Sequence, residues 1–309
     1  MADAMARNAR LILNGKVAQE PEIREAVSAM REAGCDLQVR ITWEEGDALR
    51  LVEEAAQEGV SRLIAGGGDG SVNEIVNGLM HLDEAHRPAL GILPLGSAND
   101  FAHGVCLPMD PHQALHTALT VSSRAVDIAH LGADYFINMA SGGFGAEITT
   151  STPVSLKRLL GGGAYSLMGM LKLWHYQPYS GHLSWPEGEF EGPLFLLAIG
   201  NGVQAGGGQK LAPDAKLDDG LLNVLLVRHF SSLAEMRQLL TELERIPEDG
   251  EFVRTVRTSQ LSFEGDSAFP LNLDGEPRQL KTFEVKLEPR ALKLLVQSDC
   301  PLLSSNARQ

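Results

Sequence analysis

Cysteine is scarce: Cys35, Cys106 and Cys300 are the only three in 309 residues. Odd in number and widely spaced, they argue against a disulfide framework or a zinc site and suit a reducing, cytosolic setting. Long hydrophobic runs are missing too. The first apolar run, Leu11-Ile12-Leu13, is too short for a secretory core, so no export signal is expected. The longest charge-free stretch, residues 192–209, is interrupted by glycines, Pro193, Asn201, Gln204 and Gln209 and cannot span a bilayer as a helix. Basic residues are outnumbered, 26 Lys and Arg against 40 Asp and Glu, for a net charge of −14. That balance disfavours nucleic acid or an anionic membrane as an electrostatically recruited partner. Any phosphate must therefore be held locally, by backbone amides, a few cations or a metal. No internal repeat or low-complexity linker is present, and nothing points to an oligomeric state.

What is present is an ordinary globular balance, 44% hydrophobic and 21% charged, in a chain long enough for two domains. The first part alternates strand and helix. Leu11-Ile12-Leu13 reads as a strand, residues 22–31 as a helix with Ile23, Ala26, Val27 and Met30 on one face, and residues 37–42 as a strand. The pattern repeats with a helix through Leu49, Leu51, Val52, Ala55 and Ala56, a strand at 62–65, a helix at 75–80 and a strand at 89–93. Such alternation predicts an α/β domain, a parallel sheet covered on both faces, with ligands at the carboxyl ends of the strands. After about Ser123 the runs at 135–139, 194–199, 221–227 and 283–287 predict a second, mainly antiparallel domain. The division is thus 1–123 and 124–309, with residues 298–309 free to return to the first domain. Two helices interrupt the second part, at 155–176 and from Ser232, where Glu235 is placed for a capping box.

Two glycine loops stand out. Gly66-Gly67-Gly68-Asp69-Gly70 lies between a predicted strand and a helix expected to start near Ser71. Residues without side chains let N–H groups turn toward phosphate oxygens, and a helix N-terminus adds positive potential. It is not a Walker A loop, and Ser71 replaces the third glycine of a dinucleotide fingerprint. The plainer reading is a tight turn with Ser71 as N-cap and Glu74 completing a capping box. One unit later Pro94-Leu95-Gly96-Ser97-Ala98-Asn99-Asp100-Phe101 repeats the plan, with Ser97 as the hydroxyl cap. Two such loops would face one another across one cleft. Asp69 reads either as an acid orienting a magnesium-bound water or a phosphoryl acceptor, or as a turn residue before Gly70.

Gly67-Gly68-Asp69-Gly70-Ser71-Val72-Asn73-Glu74 followed by Pro94 to Phe101 resembles the catalytic signature of the diacylglycerol and sphingosine kinase family. Phe136 to Gly145, Gln204-Ala205-Gly206-Gly207-Gly208, Leu217 to Leu222 and Leu273-Asp274-Gly275-Glu276-Pro277 resemble, in order, motifs of the bacterial YegS-like lipid kinases. The resemblance runs from Leu11 to Leu303. It implies a Rossmann-like nucleotide domain, a β-sandwich domain, ATP between them and transfer of its γ-phosphate to a lipid hydroxyl, of the diacylglycerol or phosphatidylglycerol class, during transient contact with a membrane surface. A kinase for a soluble acceptor such as NAD, and a regulator without turnover, are the competing readings.

Residue by residue, Thr42, Gly68, Asp69, Gly70, Ser71, Val72, Asn73, Glu74 and Ser97 match nucleotide-binding positions. Ser71 and Ser97 stand where threonine is usual and keep the hydroxyl; Asn14-Gly15-Lys16 departs from the usual Asn-Pro. Glu276 matches the general base, with Asp274 and Asp69 in the catalytic set; Asp274-Gly275 is also a strong hairpin signal in its own right. Asp219, with the carbonyls of Lys216 and Leu221, matches an oxygen-rich site for magnesium, or for calcium as the other hard cation. Gly161-Gly162-Gly163 interrupts an apolar helix that reads as a core helix or a lipid-entry element. His175 and His182 form no triad or ligand cluster.

Overall fold

The computed structural model describes residues 8–144 and 178–304. The helix expected at 155–176, its glycine interruption and His175 lie outside the described residues.

Strands β1 (Ala9–Asn14), β2 (Leu37–Thr42), β3 (Arg62–Gly67) and β4 (Ala89–Pro94) form a parallel sheet in the order β4-β3-β1-β2. Side chains of β1 alternate between two layers, as the pleat requires. Leu11 and Leu13 pack with α1 (Pro21–Glu32) and α5 (Pro111–Thr120), while Ile12 packs with α2 (Asp47–Gln57) and α3 (Asp69–Met80). Helix α1 forms because Pro21 opens it, Glu22 complements its positive end, and Ile23, Ala26, Val27 and Met30 recur at helical spacing on its buried stripe. Burial of each large side chain on that stripe contributes about 1.5–3 kcal/mol. The short helix α4 (Asp100–Gly104) follows the second glycine loop.

The remaining strands are β5 (Ser123–Leu131), β6 (Asp134–Phe136), β7 (Met139–Gly143), β8 (Tyr179–Trp185), β9 (Gly188–Gly200), β10 (Gln204–Ala205), β11 (Gln209–Lys210), β12 (Leu222–Arg228), β13 (Val253–Thr258), β14 (Gln260–Leu273) and β15 (Glu276–Leu295). They pair antiparallel around a separate core in which the rings of Phe263, Phe269 and Phe283 lie 4.8–6.3 Å apart. Strand β15 is the link between the halves. It begins in the antiparallel region and ends beside β4, with Leu294 opposite Leu90 in parallel register. Behind it Cys300, Leu302 and Leu303 pack into the core that holds α2 and α3. Among the described residues no helix is long and apolar enough to cross a membrane.

Helix α6 (Leu233–Arg245) starts where its cap predicts, the Ser232 hydroxyl accepting from Glu235 N–H at 3.1 Å. Glu235, however, reaches back to the N–H of Ser231 at 2.6 Å, one residue before the expected capping-box partner. Elsewhere the structure corrects the sequence reading. The run at 135–139 is not one strand: it breaks between β6 and β7 because the amides of Ile137, Asn138 and Met139 turn to a buried carboxylate. The run at 283–287 is the middle of the twenty-residue β15.

Candidate active site

The carboxyl ends of the parallel strands lie level, Asn14 opposite Thr42, Leu13 opposite Gly66, and Gly67 opposite Pro94. Helix α3 begins at Asp69, with Gly68 as its extended cap residue and no side chain capping its first amides. Ser71 is therefore inside the first turn and not the N-cap. Its hydroxyl instead accepts from Asn14 Nδ2 at 3.0 Å, tying β1 to the glycine loop. The Glu74 capping box falls with it, and Glu74 is left exposed. Orphan helix amides of this kind need a partner, and here they open toward the strand ends.

The second loop touches the first. A Cβ on Gly96 would sit 2.4 Å from Gly68 Cα, so the two turns meet backbone to backbone. Ser97 is exposed and does not cap α4. The cap residue is Asn99, whose side chain folds back to accept from Gly96 N–H and donate to Gly96 C=O, both at 2.8 Å. That leaves the first amides of α4 to Asp69. Its carboxylate accepts from Asp100 N–H and Phe101 N–H, each at 3.1 Å. Burial, opposed by these two amides, and the nearby charge of Asp100 hold the Asp69 carboxyl above its ordinary range. One acid thus locks loop to loop.

Asp100 extends the chain of contacts into the second half. It is buried and accepts from Gly207 N–H at 2.9 Å and Gly208 N–H at 2.7 Å, the turn between β10 and β11. Asn138 Nδ2 donates to Gln204 C=O at 2.9 Å in the same region. In the sequence Asp100 stands out only as an acid directly after Asn99 in the second loop's motif, and its partners lie 107 and 108 residues away.

Asp274 sits at the turn between β14 and β15. With Leu273 opposite Glu276 and positive φ at both Asp274 and Gly275, the hairpin reading is correct in its geometry. The side chain does something else. It accepts from the N–H groups of Ile137 at 2.8 Å, Asn138 at 3.2 Å and Met139 at 2.7 Å, and from Asn73 Nδ2 at 3.4 Å. Full burial outweighs these donors and pushes its carboxyl up to about 6. Asn73, a matched nucleotide-side position, is buried and also donates to Tyr135 C=O at 3.0 Å, so it serves the junction of the halves. Val72 is buried, its N–H donating to Gly68 C=O.

Glu276, two residues on, is half-buried, and its carboxylate accepts no hydrogen bond among the described residues. It faces Glu74, whose carboxyl is pushed up by partial burial and then by the like charges of Glu276 and Glu45. Glu276 therefore lies near Glu74, in the helix that follows the first glycine loop. Thr42 ends the edge strand β2, its hydroxyl 3.5 Å from Leu13 C=O.

The Lys216 to Leu221 turn lies apart, where β5, β12 and the C-terminal stretch meet. Asp219 accepts from Leu221 N–H at 3.0 Å and pairs with Arg257 at 2.5 Å, while the Lys216 ammonium donates to Pro301 C=O. Among the described residues no three metal-ligating side chains converge. Yet Asp127 beside the turn is raised by burial and then by the charges of Asp219 and Asp218, despite accepting from Gly220 and Arg290 N–H groups. Hard oxygen donors with surplus negative charge fit a divalent cation in chemistry, although Arg257 competes for Asp219.

Residues 8–131 match the diacylglycerol kinase catalytic domain, and residues 138–296 match the YegS C-terminal NAD kinase beta sandwich-like domain. The protein named "Probable lipid kinase YegS-like" from Chromohalobacter salexigens is 63% identical over 294 residues, 95% of this chain and 94% of that one. The protein of the same name from Shewanella frigidimarina is 40% identical over 97% of both chains. A crystal structure described as a diacylglycerol kinase from Bacillus anthracis str. Sterne aligns with a TM-score of 0.73 at 21% identity, over 95% of this chain and 98% of that one, which shows a shared fold. The architecture around the glycine loops is thus that of the diacylglycerol kinases, ATP-dependent phosphotransferases. Within them this chain belongs to the YegS-like lipid kinases.

Proposed function

We propose that this lipid kinase passes the γ-phosphate of ATP to a free hydroxyl of a membrane lipid of the diacylglycerol or phosphatidylglycerol class, with Glu276 as general base. The observation that carries the reading is the pair of abutting glycine loops with the uncapped α3 N-terminus, and near α3 the carboxylate of Glu276, without a hydrogen-bond donor among the described residues. Amides at Gly68, Gly70 and Ser71 suit the phosphates; the hydroxyls of Ser71, Ser97 and Thr42 supply further donors. Phosphoryl transfer depends on positioning and charge neutralisation, and a carboxylate near the acceptor need only take its proton. Asp69 and Asp274 are positioning residues in this scheme, since their oxygens are engaged by backbone amides. Magnesium, or calcium in its place, would be held by Asp219 with the carbonyls of Lys216 and Leu221, and would supply positive charge there. The protein works in the cytoplasm and meets the bilayer transiently, without polybasic attraction, as its net charge of −14 favours.

The test offers γ-labelled ATP together with zwitterionic vesicles carrying diacylglycerol or phosphatidylglycerol, and with NAD, in one assay. Label in the lipid extract is the expected result. Label in NAD alone, or in neither, overturns the reading.

A further inference from the structure

Trp43 is 90% exposed, more than Ile41, Leu49 or Leu233, the other exposed large apolar side chains among the described residues. Its backbone is nevertheless pinned. Asp47 Oδ2 accepts from Trp43 N–H at 2.7 Å and Glu44 N–H at 3.1 Å, and Arg50 holds the other oxygen at 2.6 Å. The loop between β2 and α2 therefore holds the point from which the indole projects in a defined place.

That place is the lip of the cleft. Trp43 directly follows Thr42 at the carboxyl end of β2, the edge strand. Ile41, the penultimate residue of β2, is also exposed and adds apolar surface at the end of the strand. Beneath them the loop after β1 presses close: a Cβ on Gly15 would lie 2.5 Å from Thr42 O and 3.7 Å from Ile41 Cγ2. From β3, which carries the first glycine loop, to β2 is two strand spacings, about 10 Å, a gap that the ribose and phosphates of a nucleotide bridge. On the other side Glu45, in the same loop, lies near enough to Glu74 of α3 for its charge to act on that carboxyl together with Glu276.

We propose that Trp43 is the platform on which the purine ring of the nucleotide stacks, making it a specificity-determining residue of the nucleotide site. The inference rests on the reading of the glycine loops as the phosphate side of that site. A neutral base offers an indole a π-face without opposing the local charge. An anionic bilayer would instead be repelled by the exposed Glu44 and Glu45 beside it.

The experiment uses the full chain, wild type, Trp43→Ala and Trp43→Phe, titrated by calorimetry with magnesium ATP and with magnesium tripolyphosphate. Because the indole stands in solvent, its removal leaves the fold intact, which circular dichroism checks. Stacking of this kind predicts ATP affinity about tenfold to hundredfold weaker in Trp43→Ala, most of it kept in Trp43→Phe, and tripolyphosphate affinity unchanged throughout. In lipid phosphorylation KM for ATP rises and kcat holds. Equal ATP affinity in wild type and Trp43→Ala overturns the platform while leaving the cleft assignment standing, whether or not vesicle binding falls. Parallel loss of ATP and tripolyphosphate overturns it in favour of a scaffolding role. Failure of the wild type to bind ATP removes both the platform and the nucleotide reading.

Discussion

The parallel and antiparallel halves order their glycine-rich turns by different means. In the parallel half Gly68 and Gly96 meet at backbone distance, and no side chain caps the helix that follows Gly68. In the antiparallel half three turns or bends are pinned by a carboxylate from elsewhere in the chain. Asp100 holds Gly207 and Gly208, Asp127 holds Gly220 and Arg290, and Asp274 holds the bend from Ile137 to Met139. The first means leaves amides open for a ligand. The second uses them up, as Asp69 does for the second glycine loop, which makes those acids struts and sets them apart from Glu276, whose carboxylate accepts no hydrogen bond among the described residues.

The largest break in that contrast is Asp274→Ala. It strips partners from three buried backbone amides and Asn73, each worth about 1–3 kcal/mol when left unsatisfied, so denaturant unfolding should show a loss of about 3 kcal/mol or more. Gly96→Ala attacks the other half. Its Cβ would meet Gly68 Cα at 2.4 Å and Asn99 Oδ1 at 2.8 Å, and overpacking typically costs about 1–3 kcal/mol. Calorimetry should therefore show ATP binding roughly tenfold to hundredfold weaker.

A pH series sharpens the strut assignment. Asp274 has its folded carboxyl raised to about 6, above the ordinary value of about 4, so the native state binds the proton more tightly than the unfolded chain. Its contribution is full below about pH 4 and is lost as pH rises through about 6. The stability of the wild type relative to Asp274→Asn should fall across that window by on the order of 2 kcal/mol, measured by urea titration at each pH. The smallest effect is expected from Asp100→Asn, whose amide keeps one acceptor and loses the other. About 1 kcal/mol of stability should go, with faster hydrogen exchange at the amides of Gly207 and Gly208.

Much of the parallel half was legible because its determinants are local. Ile23, Ala26, Val27 and Met30 announce α1 within one helix, and the strand at 37–42 is bounded as read. The two glycine loops were visible for the same reason. Their caps were misplaced at Ser71 and Ser97 because the real arrangement is not local: Asn14 claims the Ser71 hydroxyl from 57 residues away, and Asp69 reaches across to α4. The antiparallel half hides more. Nothing around Asp274 beyond the hairpin signal tells that its side chain will end the run at 135–139, since the amides it holds lie 135–137 residues earlier. The expectation for Glu276 comes from the family motif, because a half-buried carboxylate beside a buried, fully engaged one is a property of the assembled turn.

The division between struts and an available carboxylate is tested most directly by Glu276→Gln, measured for ATP affinity and for lipid phosphorylation on the same preparation. General-base removal typically costs about 10²–10⁴ in rate. The predicted result is a fall of at least about a hundredfold in kcat with ATP affinity within about twofold of wild type. Parallel loss of ATP binding and turnover, or an unchanged rate, would contradict it.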